Sequence, residues 1–336
     1  MHKKTYIIAE VGPNHNGSFF LAKKIIKKLK NSGVNAIKFQ LANPDLVYSD
    51  DAFLAKYQKS SGANSIKEMS IKNQLTKEHH LKLSILCKKY KIDYLCSAFD
   101  LDSLNFLVKK INIPIIKIPS GEITSIDILE KISKIKKKII LSTGMSKIED
   151  IKAALKILNR NFKKKITLLH CVSSYPALSN NLNLNLIKKI EKVFNLPAGY
   201  SDHSLGPKAC LAAVASGARI IEKHVTLSRN FKGPDHKSSM QIEDFKNMIK
   251  EIRNLEIMMG KSIKDISNSE KEIQKVARKS IVSTIDLKKG TILKKKHLSY
   301  KRPGIGVSPM LIKKVIGKKI IINLKKNKLI KMNYLK

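Results

Sequence analysis

The sequence predicts an α/β fold: a (β/α)8 TIM barrel followed by a small β-rich domain. Eight short apolar runs of β type alternate with longer amphipathic runs over about 260 of the 336 residues, which is the pattern of a parallel barrel. None of these runs is followed by a G-x-G-x-x-G motif, so the barrel is favoured over a doubly wound open sheet. After Gly260 the pattern changes to short apolar pairs separated by Lys-Lys-Gly and Lys-Lys-Asn turns, which indicates a separate β-rich domain.

The predicted strands are short runs bounded by turn-forming residues. In chain order they are Tyr6–Val11, Ala36–Gln40, Tyr94–Phe99, Ile115–Ser120, Lys138–Thr143, Ile166–Val172, Ala198–His203 and Arg219–Val225. The amphipathic runs between them predict helices, for example Phe19–Gly33, which ends at a glycine, and Ser146–Arg160. The long polar insertion from Leu41 to about Thr76 follows the second strand and is predicted to form a loop over the barrel mouth.

Three segments are predicted along the chain. Residues 1–262 form the barrel, residues 263–278 a polar linker that ends in a helix, and residues 279–336 the small domain. A domain of this size has a thin hydrophobic core, so packing against a partner would stabilise it.

The formal net charge of +40 suggests a nucleic-acid-binding protein. However, only six of the 66 basic residues are arginine, the residue that specific phosphate and base recognition prefers. The lysines recur at helical spacing, which is typical of the solvated faces of amphipathic helices. We therefore expect no nucleic-acid partner.

The cysteines and the apolar runs indicate a cytoplasmic protein without a membrane partner. The four cysteines are scattered and show no C-x-x-C spacing, so reduced thiols are expected. No run reaches the ~18 apolar residues of a membrane span. Glu10 interrupts the first apolar run after five residues, which argues against a signal peptide.

Polar side chains follow or end every predicted strand, and in this fold the carboxyl ends of the strands carry the catalytic groups. These residues are Glu10; Lys38 and Gln40; Ser97; Lys117, Ser120 and Glu122; Ser142; His170 and Tyr175; Ser201, Asp202 and His203; Glu222 and His224. Charged groups inside a barrel are costly unless they are paired or bind something. Their joint placement therefore favours a functional site.

Two kinds of site are compatible with these residues. His203 and His224 end neighbouring strands and could bind a divalent metal together. Lys38 and Lys117, with several serines, suggest a pocket for phosphate or carboxylate groups. The alternatives are structural: each histidine could be a hydrogen-bonded core residue, and Lys117 could point to the outer face of the barrel.

Several long motifs resemble the sialic acid (N-acetylneuraminate) synthase family, which includes legionaminic and pseudaminic acid synthases. They are IAEVGPNHNGS, GVNAIKFQ, FDLDSLNFL, KIPSGEITSIDILEKI, KKIILSTGM, LLHCVSSYPA, GYSDHSLG, IIEKHVTL, GPDHKSSM and YKRPGIGVSP. The resemblance spans nearly the whole chain. It implies a barrel with a C-terminal antifreeze-like (SAF) domain and a domain-swapped homodimer. It also implies condensation of phosphoenolpyruvate with an open-chain N-acyl hexosamine, with release of phosphate.

The resemblance also implies a role for individual residues. His203 and His224 match the ligands of Mn2+ or Mg2+, and Glu10 matches the acidic residue near the reacting carbons. The positions that match the phosphoenolpyruvate pocket are Lys38, Ser97, Lys117, Ser120, Ser142 and Ser201. The positions that match the sugar site are Gln40, Glu122, Tyr175, Asp235 and, from the small domain, Arg302. Ser97, Ala98, Ser173 and Val276 depart from the usual family residues.

The expected reaction uses N-acetylmannosamine and gives N-acetylneuraminate. The first alternative is an N,N'-diacetyllegionaminate synthase that uses 2,4-diacetamido-2,4,6-trideoxymannose. Another phosphoenolpyruvate-dependent synthase acting on a phosphorylated aldose, a basic nucleic-acid-binding protein and a non-catalytic carbohydrate-binding barrel are further alternatives.

Overall fold

The structure, a computed structural model, describes residues 4–158, 165–261 and 263–336. The chain divides into two compact units, Met1–Lys261 and Ser262–Lys336. Residues 159 and 160, the end of the predicted helix Ser146–Arg160, lie outside the described residues, as does residue 262, the predicted domain boundary.

The first unit is a closed parallel barrel, which confirms the predicted fold class. Its strands are β1 (Tyr6–Glu10), β2 (Ala36–Leu41), β3 (Asp93–Ala98), β4 (Ile115–Ile118), β5 (Lys138–Ser142), β6 (Ile166–Cys171), β7 (Ala198–Asp202) and β8 (Ile220–Thr226). Each strand pairs with the next, and β1 also pairs with β8. A two-residue strand, β9 (Met240–Gln241), pairs in parallel with the end of β8. The pairing of β1 with β8 closes the sheet, so the doubly wound alternative is wrong.

Helices pack around this sheet and return the chain from one strand to the next. They are α1 (Phe19–Leu29), α2 (Pro44–Val47), α3 (Ile66–Lys72), α4 (Lys77–Lys89), α5 (Leu101–Phe106), α6 (Ile126–Ser133), α7 (Ile148–Leu158), α8 (Leu186–Phe194), α9 (Lys208–Ala215) and α10 (Ile242–Met259). Helix α1 buries Ala22, Ile25, Ile26 and Leu29, spaced so that they share one face of the helix. The main hydrophobic core lies between such faces and the strands.

The barrel interior has a second, smaller core at the amino ends of the strands. Its buried members are Ile8, Ala36, Leu95, Ile115, Ile140, Leu169 and Ile220. Because strand side chains alternate between faces, the residue two positions later also points into the barrel. Those residues are Glu10, Lys38, Ser97, Lys117, Ser142, Cys171 and Glu222. The sequence therefore builds an apolar layer with a polar layer directly above it.

The insertion after β2 is not the plain loop that the sequence predicts. It contains α2, the 3-10 helix Lys56–Ser61 and α3. The side chain of Asn43 caps α2 and that of Ser65 caps α3. These helices span only four to seven residues, too few to produce a readable amphipathic period.

The second unit has its own small core, formed by Ile281, Leu287, Leu293, Val307, Val315, Ile320, Leu324 and Ile330. The unit contains α11 (Asn268–Ala277), α12 (Ile312–Val315) and the antiparallel strands β10 (Ser280–Ser283) and β11 (Leu298–Lys301). Isolated bridges such as Leu287 with Leu324 add to the β structure. Among the described residues, no helix is long and apolar enough to cross a membrane.

Candidate active site

A cavity of about 600 Å3 opens at the carboxyl ends of the barrel strands. Most of the predicted site residues line it: Glu10, Lys38, Gln40, Lys117, Ser120, Ser142, Tyr175, Ser201, His203, His224 and Asp235. Eleven of the fourteen predicted side chains therefore lie together. Ser97 and Glu122 do not line it, and Arg302 belongs to the second unit.

The cavity floor is a cluster of buried charges of alternating sign. Lys38 Nζ lies 3.2 Å from Glu10 Oε2 and 3.3 Å from Glu222 Oε1. Lys117 Nζ lies 3.6 Å from the same Glu222 oxygen. Gln40 Nε2 donates to Glu10 Oε1 at 2.8 Å. Burying these charges is tolerable because each faces an opposite charge.

Burial and pairing change the pKa values of these groups in different directions. Burial raises the pKa of Glu10, and the opposing effects of Lys38 and His224 do not cancel it. Burial would raise the pKa of Glu222 as well, but Lys117 and Lys38 lower it to about 2. Burial lowers the pKa of Lys117, and Glu222 offsets only part of this effect. The floor thus combines a firmly ionised Glu222 with a Glu10 that binds a proton more readily than an ordinary glutamate.

Hydroxyl groups surround the two lysines. Lys117 Nζ donates to Ser142 Oγ at 2.7 Å, and Ser201 Oγ donates to Glu222 Oε1 at 3.2 Å. Lys38 Nζ donates to Ser97 Oγ at 3.3 Å. Ser97 is fully buried and lies under the lysine instead of lining the cavity. Lysine ammonium groups among hydroxyls provide donors suited to phosphate and carboxylate oxygens.

Ser120 is held at the cavity wall by a backbone contact that requires a glycine. Gly144 N donates to Ser120 Oγ at 3.0 Å. A Cβ atom at position 144 would lie 2.3 Å from Ser173 Oγ and 2.9 Å from Cys171 Sγ. Only glycine leaves room for this close approach.

The two predicted metal ligands lie side by side at the ends of β7 and β8. The ring centroids of His203 and His224 are 5.4 Å apart. His203 Nδ1 lies 2.7 Å from Val172 O, a carbonyl that can only accept, so Nδ1 carries the proton and Nε2 the lone pair. His224 Nδ1 lies 3.3 Å from Asp235 Oδ2. In His203, Nε2 is therefore the atom suited to a metal, with Nδ1 oriented by a protein oxygen. His224 Nδ1 lies at ion-pair distance from Asp235 but has no hydrogen-bond partner among the described residues.

The two histidines differ in how readily they bind a proton, and a metal ligand must be unprotonated at the binding nitrogen. Burial lowers the pKa of His203 to about 4, so this ring is neutral at physiological pH. Burial would lower the pKa of His224 too, but Asp235 raises it above its ordinary value. Within the described ranges, no group of three or more His, Cys, Asp or Glu side chains is arranged to hold a metal. A metal on these two rings would complete its coordination with water or substrate.

An aromatic wall extends from the histidines to the insertion after β2. Tyr175 OH lies 3.2 Å from His203 Nε2. Tyr57, in the 3-10 helix of the insertion, stacks on Tyr175 with a centroid distance of 4.9 Å. Tyr48, Phe53, Ile66 and Met69 also line the cavity. Gln58, Ser70, Asn73 and Gln74 of the same insertion line it as well. The upper cavity therefore combines aromatic and apolar side chains with uncharged polar ones, in contrast to its charged floor.

Glu122 and the strand-end residue His170 do not line the cavity, and both have partners of their own. Ser125 Oγ donates to Glu122 Oε2 at 2.5 Å. Arg302 belongs to the second unit, where its Nε donates to Ala277 O at 2.8 Å. His170, another strand-end residue, has Nε2 2.7 Å from Leu182 O and is a buried structural histidine.

The sequence prediction missed two residues of this site. The sequence places Glu222 at the end of a strand but predicts no role for it, although it contacts both floor lysines. Its spacing of two from His224 was the available signal. Tyr57 lies in a segment without periodicity, so no signal could have placed it against Tyr175.

A charged cavity at the carboxyl end of a closed (β/α)8 barrel occupies the position where enzymes of this fold have their active sites. The chain belongs to the NeuB family, whose model matches residues 25–264. This confirms the resemblance at the level of the family.

Named relatives cover nearly the whole chain. The N,N'-diacetyllegionaminic acid synthase of Campylobacter jejuni is 43% identical over 333 residues, which are 98% of this chain and 99% of that protein. The N,N'-diacetyllegionaminic acid synthase of Legionella pneumophila is 37% identical and covers 95% of this chain and 91% of its own. The crystal structure of the sialic acid synthetase of Leptospira borgpetersenii is 33% identical, with a TM-score of 0.73, over 81% of this chain and 90% of that one.

Proposed function

We propose that this protein is a nonulosonic acid synthase that condenses phosphoenolpyruvate with an open-chain N-acyl hexosamine and releases phosphate. The observation that carries the proposal is the layered cavity: two buried lysines among carboxylates and serines on the floor, and two adjacent imidazoles above them. An anionic three-carbon substrate fits the floor, and a sugar fits the upper part, where aromatic and apolar side chains lie beside uncharged polar ones. Family membership and the names of the relatives support the same reaction.

Lys38 and Lys117 bind the phosphate and carboxylate groups of phosphoenolpyruvate in this proposal. Ser120, Ser142 and Ser201 add hydroxyl donors around the same groups. The anionic substrate shares the lysines with Glu10 and Glu222, which hold the ammonium groups in place before it binds.

The C2=C3 π electrons of phosphoenolpyruvate form a bond from C3 to C1 of the sugar aldehyde. The C1=O π electrons move to the oxygen, which takes up a proton to become a hydroxyl group, and C2 becomes electron-poor. Water adds at C2, and the C2–O bond to phosphate then breaks. Glu10 orients this water and accepts its proton, a role that fits a buried carboxylate with a raised pKa. Gln40 and Lys38 hold the two carboxylate oxygens of Glu10 in place.

His203 and His224 would hold a divalent metal, Mn2+ or Mg2+. A metal at this position supplies Lewis-acid polarisation of the sugar aldehyde. Asp235, which the resemblance assigns to the sugar, also lies at ion-pair distance from the His224 ring.

We propose 2,4-diacetamido-2,4,6-trideoxymannose as the sugar. The sequence alone favours N-acetylmannosamine, but two relatives that match nearly the whole chain are named N,N'-diacetyllegionaminic acid synthases. The aromatic part of the upper wall, with Tyr48, Phe53 and Tyr57, suits a sugar with a methyl group at C6 and a second acetamido group better than one with a hydroxymethyl group.

The central test is phosphate release from phosphoenolpyruvate with Mn2+ and each candidate sugar. We expect release that depends on both metal and sugar, with the highest kcat/KM for the 2,4-diacetamido sugar and a lower value for N-acetylmannosamine. Measurement of phosphate with a coupled colorimetric assay is sufficient. Absence of release with every N-acyl hexosamine would contradict the proposed function, and equal kcat/KM values would contradict the choice of sugar.

Replacing Tyr57 by alanine should weaken sugar binding without affecting phosphoenolpyruvate. Because an aromatic pair contributes ~0.5–1.5 kcal/mol beyond its buried area, we expect the KM for sugar to rise about threefold to tenfold. The KM for phosphoenolpyruvate should stay unchanged, since its groups bind at the lysines of the floor. Tyr57→Phe keeps the ring that stacks on Tyr175 and is the matched control. A parallel rise in both KM values would argue against a sugar-specific role.

The small domain completes the proposal. We infer that residues 279–336 form an SAF-type domain and that the protein is a domain-swapped homodimer in the cytoplasm. In such a dimer Arg302 of one copy contacts the N-acyl group of the sugar in the other copy. The YKRPGIGVSP motif and the thin core of the unit support this arrangement.

A further inference from the structure

Asp202 and Lys223 form a buried ion pair on the outer face of the barrel, directly behind the two cavity histidines. In the parallel pairing of β7 and β8, Asp202 lies opposite Lys223. Because side chains alternate along a strand, His203 and His224 point into the cavity while this pair points outward. Lys223 Nζ lies 2.5 Å from Asp202 Oδ2, and the two side chains are 2% and 0% exposed.

The pair fixes the backbone on both sides of His203. Asp202 Oδ1 accepts from Ser204 N at 2.9 Å and from Ser204 Oγ at 2.7 Å. Lys223 Nζ also donates to Ser204 O at 2.7 Å. The residues before and after His203 are thus both bonded to Lys223. Lys223 directly precedes His224 on β8.

Two further contacts anchor the pair to its surroundings. Cys210 Sγ, on α9, donates to Asp202 Oδ2 at 3.3 Å, and Tyr200 OH donates to Asp202 Oδ1 at 3.3 Å. Asp202 therefore accepts hydrogen bonds on both carboxylate oxygens, which makes burial of its charge tolerable.

An ion pair here needs a reason beyond stability. Apolar side chains of similar volume often stabilise a core as well as a buried ion pair does, because desolvation of the charges offsets their attraction. An ion pair with hydrogen bonds restricts the relative positions of the groups it joins, because its bonds form only within a narrow range of distances and angles. The feature that gains from such precision lies one residue away, in the two imidazole rings.

We propose that Asp202 and Lys223 are positioning residues that hold His203 at a fixed separation from His224, so that both rings can bind one divalent cation. The inference rests on the proposed function, which makes these rings metal ligands. Neither residue lines the cavity, so neither touches substrate. Residues that orient metal ligands without contacting the metal affect metal affinity.

The test compares Mn2+ affinity with thermal stability in the full-length protein. Free Mn2+ is measured by electron paramagnetic resonance, and the melting temperature is measured in parallel. For Lys223→Met and for the double variant Asp202→Asn with Lys223→Met, we expect a Mn2+ dissociation constant raised about tenfold to 100-fold. The double variant removes both charges and keeps an acceptor for Ser204, so its melting temperature should recover relative to Lys223→Met.

Arg253→Met is the matched control for a lost ion pair. Arg253 Nη1 lies 2.9 Å from Glu256 Oε1 and donates to Thr5 O at 3.0 Å, at the amino end of β1. The Arg253→Met variant should have a lower melting temperature than the wild type but the same Mn2+ affinity. A purely structural role for Asp202 and Lys223 predicts the same behaviour as this control.

The outcomes separate the two proposals. If the wild type binds Mn2+ and the double variant binds it with the same dissociation constant, the positioning role is overturned while the proposed function stands. If the wild type binds no Mn2+, the positioning role is overturned together with the Mn2+ site, and the proposed reaction is judged separately by phosphate release. Should the charge variants fail to fold, Ser204→Ala removes one hydrogen bond to Asp202 and is expected to raise the dissociation constant about threefold; wild-type affinity in that variant would also overturn the positioning role.

Discussion

Replacing His224 by alanine is expected to reduce metal-dependent turnover about 1000-fold, because a bound metal contributes several kcal/mol to transition-state charge stabilisation. His224 lies in the carboxyl half of β8 beside His203, and its Nδ1 lies 3.3 Å from Asp235 Oδ2. Removing one of the two proposed protein ligands should leave a site that cannot retain the cation. The measurement is kcat for phosphate release across a Mn2+ titration.

His80→Ala is the control for loss of a buried imidazole. His80 is fully buried, and its Nδ1 contacts Tyr94 OH, outside the cavity. This variant should be less stable, yet the portion that folds should turn over with wild-type Mn2+ dependence. Full activity in purified His224→Ala would contradict the metal site.

Glu10→Gln is expected to lower kcat by about 10²–10⁴-fold, the range for loss of a general base. The amide keeps the shape of the side chain but cannot accept a proton from water. It also places an amide next to the Lys38 ammonium, which now pairs with Glu10 Oε2 at 3.2 Å. Because Lys38 retains Glu222 as a partner, the KM for phosphoenolpyruvate should change much less than kcat.

The matched control is Glu256→Gln, which makes the same change in a partly buried, ion-paired carboxylate. Glu256 accepts from Thr5 N at the amino end of the barrel. The Glu256→Gln variant should have a lower free energy of unfolding than the wild type but an unchanged kcat. A Glu10→Gln enzyme with wild-type kcat and a raised KM would show that Glu10 only organises the phosphoenolpyruvate pocket.

The barrel and the cavity floor were predictable because both follow from the alternation of side chains along a strand, which repeats every two residues. Strand runs in the sequence marked the sheet, and the polar residue two positions after each interior apolar residue marked the cavity floor. Lys38 two residues after Ala36 and Glu222 two residues after Ile220 are examples. Which lysine meets which carboxylate was not predictable, since that depends on the register between strands.

The outer parts of the site were less accessible to prediction. Tyr57 reaches Tyr175 from an insertion whose helices are too short to show a period. Asp202 stands out in the sequence only as a polar residue at a strand end, and its partner Lys223 is evident only from the pairing of β7 with β8. Such contacts join distant segments through side chains, and no local pattern encodes them.

The pairing of β1 with β8 determines when the site can exist during synthesis. Lys38 and Lys117 belong to the first four strands, whereas their shared partner Glu222 lies on the last. A chain that has emerged from the ribosome only through β4 would have to bury two ammonium groups against Glu10 alone, which is costly. The amino-terminal half of the barrel is therefore a poor folding unit. The charges become neutralised only when the last strand joins the first, so barrel closure and completion of the site are one event.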